Sequence, residues 1–296
     1  MLFLDLNLNV FGQSGDLAWL SHISSLRFLN LSLVDLGAAI HLSQAINKLP
    51  SLIHLNLNGC ALLPFTTGSL FHANSSASLV FLDLSNNYLI NSSIYPWLFK
   101  FSTTLVHLDR SSNDLNGSIL DAFGNMISLA YLDLIYCFEC EIPFAFGDMI
   151  ALEYLDISGH GLHSEILDTF KNMTSLTYLA LSSNQPQGGI PNAIGDLTSL
   201  TYLELFGNQL KAIPKTFSRS LVHVDIFFNQ LRGSIPDTFG NMVSLEELFL
   251  SHNELEGEIP KSFGRRLVIL DLSSNRLYGS IPNTVGSMVS LERLSL

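Results

Sequence analysis

Along this chain apolar residues return at the first, fourth and sixth places of a short phrase that an asparagine closes three places later. In LVILDLSSN, Leu267, Leu270 and Leu272 are the apolar set, and Ile269 and Asp271 alternate with them. Period-two alternation predicts a short strand with the leucines facing inward and residues 269 and 271 facing outward. The phrase L-x-x-L-x-L-x-x-N-x-L starts at Met1, Leu26, Leu52, Leu79, Leu105, Leu129, Leu152, Leu176, Leu200, Leu221, Leu245, Leu267 and Leu291. Spacings of 21 to 27 residues mark an internal repeat. No single copy can bury its own leucines. Stacked copies can, as parallel strands about 4.8 Å apart over a continuous core. A single solenoid over residues 1–296 is therefore expected, rather than the two domains that length alone suggests.

The asparagines that close the strands are expected to turn inward as a ladder: Asn87, Asn113, Asn184, Asn208, Asn229, Asn253 and Asn275. An amide both donates and accepts, so it can satisfy turn backbone that would otherwise be buried unpaired. Cys60 and Cys137 stand in the same slot and read as packed thiols. After the asparagine comes a turn phrase, GGIP at 188–191, GSIP at 233–236, GEIP at 257–260 and GSIP at 279–282, with NGSI at 116–119. Glycine supplies the bend and proline ends the ladder. Segments such as AFGNM and TVGSM are expected to return as short helical or 3₁₀ turns, with Phe123, Phe239 and Val285 filling the convex side.

The full phrase L-x-x-L-x-L-S-x-N-x-L-x-G-x-I-P resembles the plant-type extracellular leucine-rich repeat over essentially the whole chain. That resemblance implies an α/β repeat solenoid, a right-handed superhelix with a parallel sheet on its concave face. The stretches DLAWLSHISSLRFLNLS, AINKLPSLIHLNLNGC and SSIYPWLFKFSTTLVHLD are similar to plant receptor-like proteins of the ethylene-inducing xylanase receptor type. Membership there implies a cell-surface ectodomain in defence signalling that recognises a microbial elicitor protein, peptide or glycan. It also implies a single membrane span, a short tail without a kinase, and signalling through partner receptor kinases. The G-x-I-P phrase is shared with soluble polygalacturonase-inhibiting proteins, which leaves a cell-wall enzyme inhibitor as the alternative. An intracellular scaffold is disfavoured by the same phrase.

Composition narrows the partners. The formal net charge is −12 and no run of Lys or Arg occurs, which argues against nucleic acid or an anionic membrane surface as a partner. Three cysteines are too few for a disulfide framework, and the lone C-x-x-C of Cys137 and Cys140 has no second pair to complete a zinc site. No nucleophile or third ligand accompanies His107-Leu-Asp109 or His223-Val-Asp225, so neither an enzyme nor a metal or other cofactor is expected; paired surface side chains are. Five N-x-S/T sequons, at Asn30, Asn74, Asn91, Asn116 and Asn172, fit an extracellular glycoprotein. Asn30 is expected on the concave face.

Outward positions of the strands carry the recognition surface of a solenoid. One column reads mostly Phe, Tyr and His, from Phe3 to Tyr202 and His223, and the next reads mostly Asp, from Asp5 to Asp271. Just after the strand most copies have small polar residues, whereas Ile135-Tyr136, Phe206 and Phe227-Phe228 break the rule and Phe249 replaces an acid. Exposed aromatics cost solubility unless something covers them. A ligand patch is therefore expected on Tyr202, Phe206, His223, Phe227, Phe228 and Phe249, with Tyr136 as a further candidate. Histidines of these columns are expected to gain charge in a mildly acidic cell-wall space.

Four places depart from the pattern: Arg110 in an inward leucine slot, Pro186 for a leucine, and Val34 and His160 for ladder asparagines. A buried guanidinium is costly unless it reaches water or pairs. Met1 falls within one phrase and Leu296 ends another, with no cap, signal peptide or membrane span in the 296 residues. The expectation is a piece of a receptor ectodomain, or a truncated copy, attached to a membrane only through a segment further along.

Overall fold

A computed structural model describes residues 1–10, 17–37, 39, 42–62, 78–89, 94–113, 121–136, 142–159, 161–163, 165–166 and 168–296. Asn74, Asn91, Asn116, Cys137, Cys140 and His160 lie outside the described residues. The chain forms two compact units, Met1–Glu139 and Cys140–Leu296, each a stack of leucine-rich repeats.

In the first unit six three-residue strands pair in parallel and in sequence order: Phe3–Asp5, Phe28–Asn30, His54–Asn56, Phe81–Asp83, His107–Asp109 and Tyr131–Asp133. In the second, seven do so: Tyr154–Asp156, Tyr178–Ala180, Tyr202–Glu204, His223–Asp225, Glu247–Phe249, Ile269–Asp271 and Arg293–Ser295. Register is exact because the leucine at each strand centre has one place to go. Leu29, Leu55, Leu82, Leu108 and Leu132 align and are sealed from solvent, as are Leu155, Leu179, Leu203, Val224, Leu248 and Leu270. A three-residue strand holds nothing together alone, so this buried file supplies the cohesion.

Most return segments are 3₁₀ helices, including Asp121–Asn125, Phe144–Asp148, Asp168–Asn172, Asn192–Asp196 and Asp237–Asn241, while Leu42–Asn47 and Tyr95–Leu98 are short α-helices. Each of these 3₁₀ helices buries one large residue against the back of the core. Phe123, Phe146, Phe170 and Phe239 are fully buried, whereas Val285 is half-buried. The repeats beginning at Leu200 and Leu245 are the shortest, at 21 and 22 residues, and residues 211–222 and 258–268 contain no helix. Three and two residues fewer than the usual 24 leave too little chain to close the turn.

The stretches that lead into the G-x-I-P phrases build a second, three-stranded parallel ribbon from Arg232–Gly233, Glu254–Gly257 and Arg276–Leu277. Gly233, Gly257 and Gly279 leave it with φ of 85°, 97° and 90°, a backbone that only glycine adopts without strain.

The ladder asparagines each tie two repeats. Asn253 donates to the carbonyls of Ile226, Leu250 and Ser251 at 3.0, 3.1 and 3.2 Å, and its Oδ1 accepts the Leu231 N–H at 3.0 Å. Cys60, in the same slot, reproduces part of this: its thiol donates to the Leu31 carbonyl at 3.0 Å. Burial pushes that thiol up to about 12. Iodoacetamide at pH 8 is accordingly expected to leave the Cys60 peptide unmodified until the chain is unfolded. Peptide mapping that found it alkylated in the folded protein would show the slot to be open.

Arg110 does not reach water. It stays buried in its leucine slot, where its guanidinium donates to the Tyr95 hydroxyl and lies 5.1 Å from the Tyr95 ring centre and 5.5 Å from that of Phe123. Two aromatic faces and a hydroxyl replace the missing hydration. Pro186 keeps its site apolar and buried, and Val34 does the same without an amide.

Candidate ligand-recognition face

The outward columns of the sheet differ between the two units. In the first, rings of Phe3, Phe28, His54, Phe81, His107 and Tyr131 form an unbroken stack with centroids 3.9–4.2 Å apart and planes within 15°. Rings stacked this closely cover one another's faces and leave only edges to a partner. In the second unit the stack opens. Tyr154 and Tyr178 lie 4.4 Å apart, but Tyr178 to Tyr202 is 6.1 Å and Tyr202 to His223 is 5.2 Å. Phe249 then meets His223 tilted by 48°. Tyr202 is 41% exposed.

The acidic column is not the free surface that its sequence suggests. Asp5, Asp83, Asp109, Asp133, Asp156, Asp225 and Asp271 each turn Oδ1 onto the backbone N–H two residues on, at 2.9–3.1 Å, and so fold the strand exit. Asn30 and Asn56 do likewise at 3.0 and 2.9 Å. Ser85, Ser111 and Ser273 add a hydroxyl donor to the same oxygen at 2.6–2.7 Å. Burial raises the carboxyls of Asp109, Asp156 and Asp225, while the serine hydroxyls and backbone outweigh burial at Asp271 and lower it.

The expected His–Asp pair within a strand is corrected at His107, whereas His223 still acts electrostatically on Asp225 while bonding elsewhere. His107 enters the ring stack while Asp109 enters its turn, and His223 Nδ1 meets Glu247 Oε2 at 2.6 Å across to the next strand. The expected gain of charge in mild acid is also corrected at His107 and is made less favourable at His54. Burial in the stack lowers both, His107 to about 4, so His107 stays neutral between pH 5 and 7.

At the strand exit one position takes left-handed backbone in repeat after repeat. Small or short polar residues fill it at Gly59, Asn86, Ser112, Gly159, Ser183, Gly207 and Ser274, but Leu8 and Leu33 hold φ of 57° and 60°, and Tyr136, Phe228 and His252 hold φ of 61°, 54° and 54°. A bulky side chain there costs roughly 1–2 kcal/mol. Their exposure shows no packing gain in return: Tyr136 is 55% and Phe228 60% exposed. Phe228 and Phe227 lie 5.8 Å apart, and His252 closes the group with an edge-to-face contact to Phe227 at 5.2 Å. Phe206 occupies the Phe227 position one repeat earlier, half-buried. The structure thus brings Tyr202, His223 and Phe249 together as one ring contact chain and Phe227, Phe228 and His252 as another, with Phe206 one repeat away. Tyr136 belongs to the other unit.

His252 and Glu247 are the members that sequence reasoning missed. The signal for His252 was present: a column that holds glycine at 59, 159 and 207 demands positive φ, and a ring there points to solvent. Of the sequons, Asn172 is exposed at the end of its 3₁₀ helix, whereas Asn30 is half-buried with its Oδ1 engaged by Ser32. Among the described residues no group of three His, Cys, Asp or Glu side chains could hold a metal.

Two leucine-rich-repeat sequence models match residues 150–210 and residues 78–101, 220–242, 244–265 and 266–288, together just over half of the chain. The chain belongs to the leucine-rich-repeat family. Within it, the chain is similar to two tomato (Solanum lycopersicum) proteins. Receptor-like protein EIX1 is 43% identical over 120 residues, 40% of this chain and 12% of that protein. Receptor-like protein EIX2 is 43% identical over 97 residues, 32% and 10% of the respective lengths. The matched stretch is thus about an eighth or less of these relatives. Among solved structures, the Arabidopsis receptor kinase HAESA, in complex with the peptide hormone IDA and the co-receptor SERK1, superposes with a TM-score of 0.74. It is 27% identical, over 100% of this chain and 54% of that one. Among the described residues no helix is long and apolar enough to cross a membrane.

Proposed function

We propose that this chain is the ligand-recognition part of a plant cell-surface receptor-like protein in defence signalling. It binds a protein or peptide elicitor on the strand-exit face of the second unit. The observation that carries this reading is the exposed pair of rings at Tyr202 and Phe228, the latter on a left-handed backbone position that glycine or serine fills at Gly159, Ser183, Gly207 and Ser274. Aromatic anchors of this kind dominate protein interfaces, because they give much contact area for little entropy. The relatives' names support the assignment to receptors, and the peptide and co-receptor in the HAESA complex support an extracellular peptide ligand and a receptor-kinase partner. The particular ligand is chosen by outward residues, which vary freely on a common frame.

The test is binding of the secreted chain to a panel of purified microbial wall-degrading enzymes and their tryptic peptides. Phe228→Ala, a change at an exposed site, and the combined F206A/F227A/F228A/F249A variant are expected to weaken the binding found by at least tenfold. Binding unchanged within twofold in both, or no binding by the parent chain, overturns the reading. In the same secreted material Asn172 is expected to carry a glycan, and N172Q to remove one glycoform step on a gel. An unmodified Asn172 peptide would contradict the extracellular assignment.

A further inference from the structure

The second unit's open ring face also carries an unbalanced charge. Strand positions around it supply Glu204, Asp225, Glu247 and Asp271, and within these columns the lone Lys or Arg is Arg293, in the last strand. Lys211, Arg232 and Arg276 lie past the asparagine ladder, where Glu254 already holds Arg232 and Arg276 at 3.3 and 3.2 Å.

The aromatic substitutions create part of this imbalance. In neighbouring copies a serine two residues after the acid donates its hydroxyl to the carboxylate, as Ser111 does to Asp109 and Ser273 to Asp271. Phe227 stands in that place after Asp225, and Phe206 in that place after Glu204. Phe227 therefore offers Asp225 only its backbone N–H, at 2.9 Å. Glu204 also faces the Tyr178 hydroxyl, one repeat earlier. Glu204 and Asp271 both add to the rise that burial imposes on Asp225, so the carboxylates feel one another. The rings thus stand in the places of the serine donors, and the carboxylates keep the Phe227 N–H at Asp225, the Tyr178 hydroxyl at Glu204 and His223 Nδ1 at Glu247, with no Lys or Arg among them.

We propose that the ligand segment held on this face is a protein loop or peptide that presents lysine or arginine, its aliphatic stem lying on Phe206, Phe227 and Tyr202 and its cation among Glu204, Asp225 and Glu247. A cation over an aromatic ring with carboxylates at the rim satisfies both halves of the side chain. A neutral apolar segment would cover the rings and leave the carboxylates desolvated beside it. This inference rests on the recognition reading above and adds the chemistry of the partner.

The probe is a library of random 12-residue peptides displayed on phage, selected on the secreted chain and counter-selected on the four-alanine variant. Retained peptides are expected to be enriched in Lys and Arg. Their binding is expected to weaken at least tenfold in D225N, which keeps the Oδ1 acceptor for the Phe227 N–H, and at least tenfold between 50 and 500 mM salt. The pair E204Q/E247Q, away from the buried turn, is the second variant and is expected to show the same loss. Patch-dependent peptides without basic enrichment, and indifferent to both charge variants, overturn the ligand class while leaving the recognition face standing. A glucosamine hexamer that binds through the same carboxylates, with no peptide retained, overturns the proposal in favour of a cationic glycan. No patch-dependent binder of either kind overturns both this inference and the function it rests on.

Discussion

Replacing Asn253 by alanine is expected to lower the unfolding free energy by about 3–4 kcal/mol, one of the largest losses available from a single side chain of this size. The reason is the number of groups that one amide serves. Its Nδ2 satisfies carbonyls of Ile226, Leu250 and Ser251, and its Oδ1 takes the N–H of Leu231, all in a region that water does not reach. Alanine removes the partner and leaves the backbone in place, so the desolvation cost of each orphaned group falls due at once. Asn253→Cys is expected to lose about half as much, because Cys60 shows a thiol in this slot reaching the preceding repeat's carbonyl at 3.0 Å. Urea titration of the two variants beside the parent chain checks this. Alanine and cysteine with equal losses, or an alanine loss below about 1 kcal/mol, would mean that the ladder is decoration on a core that holds itself.

That ladder was legible in the sequence, and so were the strands, for the same reason. A buried amide and a file of buried leucines each tolerate few alternatives, so every copy repeats them and the period stands out. Residues whose work is local were harder to read. Asp83 and Asp109 look like surface charge because Asp is common on solvent-facing strand positions. Their task, an Oδ1 aimed at an N–H two residues on, is a matter of turn geometry that L-D-L-S also fits. Arg110 was read as a fault in the leucine file. The Tyr95 and Phe123 rings that accommodate it come from return segments 15 residues before and 13 residues after it, which no strand pattern reports. Phe227 and Phe228 were visible as departures from their own column. Their relation to His252 was not, since it depends on a left-handed backbone that places consecutive rings beside a third from the next repeat.

The stack in the first unit and the open rings in the second have the same residue types and opposite consequences. Phe, His and Tyr at 3.9–4.2 Å consume their faces in one another, so the first unit's column is a structural seam. Once the spacing rises to 6.1 Å at Tyr178 to Tyr202, a face becomes available to a partner. Residue type alone does not separate these roles; the distance between successive rings does.

Replacing His107 with phenylalanine, the residue that fills this column at Phe28 and Phe81, is expected to stabilise the chain in acid and change little above neutrality. Burial between Phe81 and Tyr131 lowers the histidine from the ordinary 6.5 to about 4. Folding therefore favours the neutral ring. Its stability contribution is fully present above pH 6.5, falls as the unfolded chain takes up a proton between 6.5 and 4, and is lost below 4. A phenylalanine cannot titrate, so the gap between variant and parent opens across that window. The full shift would correspond to about 3 kcal/mol, and solvent reaching the partly covered ring reduces this to about 1–2 kcal/mol. Melting temperatures are thus expected to differ by roughly 3–6 °C more at pH 4.5 than at pH 7.5. Asp109, Asp156 and Asp225 have raised carboxyls and push the other way, gaining stability on acidification, but they are common to both proteins and cancel in the difference. A gap that is the same at both pH values would mean that His107 is protonated within the stack, with its neighbours moved apart to admit water.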